Sequence, residues 1–135
     1  MDTGTNGMAH VLIVEDGMAA AELIRRNLVK RGHSAVVAIS GAEACKAVMH
    51  QEFDLVILDW RLPDGLADTA YGCLISACPK LQGKITIFSA SDPDTTAQLF
   101  LVKTGVDWIV KPFSAGEAER LVELLLAGIP LLEPQ

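Results

Sequence analysis

Five stretches of the chain are apolar, interrupted only by Thr86, and too short for helices: Val11-Leu12-Ile13-Val14, Ala35 to Ile39, Leu55-Val56-Ile57-Leu58, Ile85-Thr86-Ile87-Phe88 and Trp108-Ile109-Val110. Runs of that length, β-branched and bounded by turn residues, predict strands buried on both faces. Between them the apolar positions recur at helical spacing. Met18 to Arg31 places Ala21, Leu23, Ile24, Leu28 and Val29 near one face, with Gly32 suited to a left-handed cap. Ser40 with Glu43 resembles a capping box opening a helix to about Gln51, and Ser114 with Glu117 opens another that carries Leu121, Val122, Leu124, Leu125 and Leu126. Asp68 to Ala77 is a weak helix, interrupted by Gly72. Asp92-Pro93 predicts an N-cap with Pro in the first turn of a helix reaching about Lys103. Strict alternation of five strands with helices implies an α/β fold, a parallel sheet covered by helices on both faces.

The ends of these strands carry the chemistry. The first ends in Glu15-Asp16, the third in Asp59, the fourth in Ser89 and the fifth in Lys111, whereas the second ends without an acid. All strands of a parallel sheet end on one edge, the edge where open α/β sheets bind ligands. If those four strands are neighbours, three carboxylates share a crevice. Each pair ~4 Å apart then repels by about 4 kcal/mol at an effective dielectric of ~20. Lys111 offsets part of that, and a divalent cation would offset more. Carboxylates and water suit Mg²⁺, with Mn²⁺ as the alternative, and no His or Cys at these ends invites zinc. Such a pocket suits phosphoryl transfer, with Asp59 as the nucleophile, because carboxylates form acyl-phosphates.

Composition narrows the setting. The 135 residues amount to one domain, and the net charge of −6 argues against a nucleic-acid surface. No apolar run approaches the roughly 20 residues of a membrane helix, and no secretory leader opens the chain, so a cytoplasmic protein is expected. Residues 1–9 are expected to form a loose tail, 10–127 the domain and 128–135 a second tail. Cys45, Cys73 and Cys78 lack ligand spacing and are expected to be reduced thiols on helix faces. His10, His33 and His50 are expected to lie off the site. Of the run Leu99 to Val102, two or three residues are expected in the core and the remainder on an exposed patch.

Glu15-Asp16, Asp59, Ser89-Ala90 and Lys111-Pro112-Phe113, in that order and at the ends of strands one, three, four and five, closely resemble the receiver domain of two-component response regulators. The resemblance spans roughly residues 10–127 and implies a flavodoxin-like sheet in the order 2-1-3-4-5. It implies Asp59 as phospho-acceptor and Ser89 as switch hydroxyl. Lys111 matches the motif lysine, and Trp108 the switch aromatic that is more often Tyr or Phe. Glu15, Asp16, Asp59 and the Arg61 backbone carbonyl match the metal ligands. The implied donor is a phosphohistidine of a sensor kinase or phosphotransfer protein, and the implied docking or dimerisation face is 93–127. Three features depart from the pattern: the bulk of Trp108, Leu62 in place of a common Met, and the loop from Asp64 to Asp68, which lacks a Gly at the usual spacing after Asp59. The competing readings are a pseudo-receiver scaffold that never takes phosphate, and a true enzyme. A dehalogenase-type phosphatase needs an acid where Arg61 stands. A flavodoxin needs a Ser/Thr/Gly-rich loop in place of Glu15-Asp16, and a dinucleotide fold needs GxGxxG.

Overall fold

In the computed structural model, which describes residues 8–112 and 114–128, all five apolar runs become strands. In chain order they are β1 (His10–Val14), β2 (Ser34–Ala38), β3 (Leu55–Asp59), a short antiparallel pair β4 (Arg61–Leu62) and β5 (Gly65–Leu66), then β6 (Ile85–Ser89) and β7 (Asp107–Val110). The five long strands form a parallel sheet ordered β2-β1-β3-β6-β7, which is 2-1-3-4-5 once the hairpin is set aside. The helices are α1 (Met18–Lys30), α2 (Gly41–His50), α3 (Ala67–Ala77), α4 (Thr95–Thr104) and α5 (Ala115–Ala127).

Side-chain alternation divides the core. Leu12, Val14, Val56, Leu58 and Ile87 point to one face and meet Ala44, Val48, Leu74, Ala97 and Phe100 from α2, α3 and α4. Val11, Ile13, Ile57 and Phe88 point to the other and meet Ala21, Ile24, Leu28, Leu121, Val122 and Leu125 from α1 and α5. Residues buried on both faces leave no polar stripe, which is why β1, β3 and β6 are continuous in sequence. β2 and β7 lie at the sheet edges and are correspondingly less buried.

Both serine N-caps form, with Ser40 Oγ accepting from Glu43 N and Ser114 Oγ accepting from Glu117 N, and Glu43 Oε1 reaches back to Ile39 N. The α4 start moves. Its N-cap is Asp94, whose Oδ1 accepts from Ala97 N, so Asp92-Pro93 precedes the helix instead of opening it. The 64–68 segment folds back as the β4–β5 hairpin, with Gly65 at φ 138°, a conformation only glycine adopts readily. Of the expected tail, Ala9 is fully part of the domain: it is buried and hydrogen-bonded to His33 Nδ1 and Ser34 N. Met8 is exposed, and residues 1–7, residues 129–135 and Phe113 of the Lys-Pro-Phe motif lie outside the described residues. In the Leu99–Val102 run, Phe100 is buried and Leu101 packs on the core, while Leu99 and Val102 are 68% and 86% exposed.

The expected reduced thiols need correction. Cys45 and Cys73 are joined by a disulfide between α2 and α3, leaving Cys78 as the free cysteine. Nothing in their sequence spacing shows this, because the two helices become neighbours only when β3 inserts between β1 and β6.

Trp60, the residue after Asp59, is a core element that its sequence context does not announce. It is 2% exposed and its ring centroid lies 5.5 Å from Phe100 and 5.6 Å from Trp108. Its indole N–H has no partner among the described residues. Trp60→Ala is expected to cost roughly 3–5 kcal/mol in chemical denaturation, as large aromatic truncations do. Trp60→Phe should cost far less, since it keeps a ring and removes the unpartnered donor.

Candidate functional site

Strand register builds the site. Val14 pairs with Leu58, Asp59 with Phe88 and Ser89 with Val110, so Glu15, Asp59, Ser89 and Lys111 emerge at nearly one level on the carboxyl edge. Three backbone bonds extend the ladder past the strands: Glu15 N to Ala38 O, Trp60 N to Phe88 O and Lys111 N to Ser89 O. The acid-free β2 stands at one margin, outside the cluster.

Glu15 and Asp59 are 3% and 4% exposed, a burial that neither charge tolerates alone. The Lys111 ammonium lies between them, 2.7 Å from Glu15 Oε1 and 3.0 Å from Asp59 Oδ2. Its stem is covered, with Nζ 5.2 Å from the centre of the Phe88 ring. The second oxygen of each acid meets backbone: Glu15 Oε2 accepts from Gly17 N at 2.7 Å and Asp59 Oδ1 from Arg61 N at 3.3 Å. Burial pushes the Asp59 carboxyl up to about 6; the Lys111 hydrogen bond opposes the rise and the Glu15 charge adds to it. Burial works against the Lys111 charge, yet its two carboxylate partners outweigh it and hold its pKa above the ordinary lysine value.

Asp16 is exposed and completes an acidic triad: one carboxylate oxygen each from Glu15, Asp16 and Asp59 lie within 4.8 Å of one another. Three hard oxygen donors, one of them at the surface, fit Mg²⁺ and do not fit a soft metal. Ser89 is buried beside Asp59, and its Oγ accepts from Ser91 N at 3.4 Å. Trp108 is half-buried, and its Nε1 donates to Ser91 O at 3.1 Å, fastening the β6–α4 loop that follows Ser89. The Arg61 side chain is turned outward to Asp94 Oδ2 at 3.5 Å, an exposed pair of small energetic weight. His10, His33 and His50 stand elsewhere; the first two tie the opposite edge of the sheet through Ser34, Gln51 and Ala9.

Two polar residues escaped the sequence reading. Asp64 accepts from Gly41 N and Ala42 N, both at 3.0 Å, and so caps α2 from the hairpin; these bonds hold its pKa below the usual carboxylate range. Asp94 serves both the α4 cap and Arg61. Each is an acid in a loop, and its partner is fixed only by tertiary approach.

A doubly wound sheet whose carboxyl edge gathers an acid triad, a lysine and a buried hydroxyl defines a phospho-acceptor class of α/β domain. The family profile for the response regulator receiver domain matches residues 11–124, and the chain belongs to that family: it is the receiver domain of a two-component response regulator. It is 29% identical over 124 residues to the alkaline phosphatase synthesis transcriptional regulatory protein PhoP of Bacillus subtilis. That match covers 92% of this chain and 51% of PhoP, so the chain spans about half the length of that relative. The receiver domain of the Francisella response regulator 1452 superposes with a TM-score of 0.69 at 26% identity, covering 88% of this chain and 97% of that one. A Burkholderia pseudomallei response regulator, solved with a phosphorylated aspartic acid, a calcium ion and citrate, gives a TM-score of 0.71 at 21% identity, covering 89% of this chain and 65% of that one.

Proposed function

We propose that Asp59 accepts a phosphoryl group from a phosphohistidine of a sensor kinase or phosphotransfer protein, in a Mg²⁺-dependent reaction. The observation that carries this reading is the single ammonium of Lys111 held between two buried carboxylates, with Asp16 completing an open acidic triad. Asp16, Asp59 and the Arg61 carbonyl, with Glu15 behind them, would hold the cation. When bound, it would neutralise charge on the phosphoryl oxygens and leave phosphorus more open to attack.

The side chains divide the remaining work. An Asp59 carboxylate oxygen attacks phosphorus in line, the P–N bond to the imidazole breaks, and an acyl-phosphate is left on β3. Lys111, desolvated against Phe88, supplies fixed positive charge where negative charge gathers, without reorganisation. The Ser89 hydroxyl, one ladder step away, donates to a phosphoryl oxygen, and turning toward it loosens the 3.4 Å bond that its Oγ accepts from Ser91 N. Trp108, tied to Ser91 O and packed at a tilt against Trp60, feels that shift directly. The exposed Leu99, Val102 and Val110, within the 93–127 region, then offer the apolar part of a docking or dimerisation face. Every pocket group is present, so a scaffold that never takes phosphate is not favoured. Among the described residues no helix is long and apolar enough to cross a membrane.

Incubation with acetyl phosphate and Mg²⁺ tests the reading by intact mass. One phosphoryl adduct is expected, disappearing when EDTA replaces the metal. An unmodified mass at saturating donor would overturn it.

A further inference from the structure

The disulfide between Cys45 and Cys73 closes a loop that encloses β3, Asp59 and the β4–β5 hairpin. Its Cα atoms are 6.2 Å apart, within the ordinary span of a disulfide. Cys45 is on the buried side of α2, but Cys73 lies on the solvent side of α3, where a thiolate can approach. A cavity of about 220 Å³, lined by Cys45, Cys73, Leu62, Asp64, Gly41 and Thr69, opens beside the bridge.

That cavity is the joint between the acceptor loop and the two helices. Asp64, from the hairpin, takes both of its backbone bonds from the first turn of α2. At Gly41 the helices are close enough that an added Cβ would lie 3.2 Å from Ala70 Cβ. A carboxylate cap, a glycine contact and a sulfur bridge therefore hold α2, α3 and the hairpin at one place. Of the three, the bridge is the link that a chemical reagent opens. The hairpin in turn fixes the Arg61 backbone, whose N–H bonds to Asp59 Oδ1.

We propose that Cys45–Cys73 is a thiol–disulfide exchange site, reactive toward small dithiols, whose opening slows phosphoryl acceptance at Asp59. Attack by one thiolate of the dithiol on the exposed Cys73 sulfur breaks the S–S bond and forms a mixed disulfide. The second thiolate releases it, so two electrons and two protons pass to the cysteines and the dithiol leaves as a cyclic disulfide. A small-molecule disulfide reverses the exchange by taking the electrons back. Inside a reducing compartment such a bridge is held open, and oxidation closes it. The closed form restricts the hairpin and so pre-positions Arg61 and Asp59; the open form returns conformational freedom to the enclosed segment. The effect on phosphorylation rests on the receiver reading, whereas the exchange itself does not.

Dithiothreitol and oxidised glutathione, applied to the full chain, separate the two. Of the three cysteines, one is expected to react with a thiol reagent in the oxidised protein and all three after reduction. Reduction should lower Tm by about 10 °C, speed hydrogen exchange at Gly41 and Ala42 N–H, and slow acetyl-phosphate labelling about threefold. Cys78→Ser should keep the full response, and Cys45→Ser should behave as the reduced protein in either reagent. Three reactive thiols in the oxidised sample, or unchanged amide exchange on reduction, overturns the proposal. Equal labelling rates in the two redox states overturn its link to Asp59. Absence of labelling in both states, with the exchange response intact, sinks the phospho-acceptor reading instead and leaves the exchange site standing.

Discussion

Asp59→Asn should take up no phosphoryl group from acetyl phosphate and Mg²⁺, while becoming more stable than the parent protein at neutral pH. The first half follows from chemistry: an amide is no nucleophile toward phosphorus, and the other buried carboxylate paired with Lys111, Glu15 at 2.7 Å, stands just past the end of β1 with its second oxygen bonded to Gly17 N. The second half follows from linkage. The folded pKa of Asp59, about 6, lies above the ordinary aspartate value of 3.8, so the native state binds this proton more tightly than the unfolded chain does. The stability contributed is full below pH ~4 and is lost as pH rises through ~6. A shift of roughly two units corresponds to about 3 kcal/mol at most. Losing the Lys111 partner takes back part of that, so the net gain expected at pH 7.5 is about 1–2 kcal/mol. Urea unfolding at pH 7.5 and pH 4 checks it: the gain should be present at the first and absent at the second. An equal gain at both would show that ionisation of Asp59 is not its source.

Lys111→Met should have the opposite effect and a larger one. It removes the ammonium that faces both Glu15 and Asp59 and leaves two buried acids repelling each other. Deleting one member of a buried ion pair costs about 3–5 kcal/mol. Protonation of Asp59 relieves some of this, so about 2–4 kcal/mol is expected at pH 7.5 without metal, shrinking below pH 6. Millimolar Mg²⁺ should recover much of the loss in the variant, because the cation meets the same carboxylates. Phosphorylation should remain severely impaired even then, since the fixed charge over the phosphoryl oxygens is gone. A variant as stable as the parent at pH 7.5 without metal would refute the ionic account of the pocket.

How much of this was legible beforehand depends on the range of the interaction. Capping at Ser40 and Ser114 is decided within four residues, so the text of the chain suffices. The α4 cap was misplaced because Asp92 and Asp94 are equally good caps by type. Asp94 wins through its extended backbone and its bond to Ala97 N. Trp60 offered no pattern, being a single aromatic after a charged residue, and its burial comes from Phe100 and Trp108, distant in sequence. Asp64 reaches across 23 residues to Gly41, a pairing with no local trace. The Cys45–Cys73 bridge was missed for the same reason, at a separation of 28 residues.

The sequence by itself determined the strand–helix alternation, the parallel sheet and the fact that acids and a lysine stand at strand ends, because each strand's apolar run and terminal residue are local properties. Only the tertiary structure decided that Lys111 sits between Glu15 and Asp59, that Arg61 turns outward to Asp94, and that α2 and α3 are covalently joined. Those facts depend on which strands are neighbours and in what register, and register is set by packing over the whole sheet.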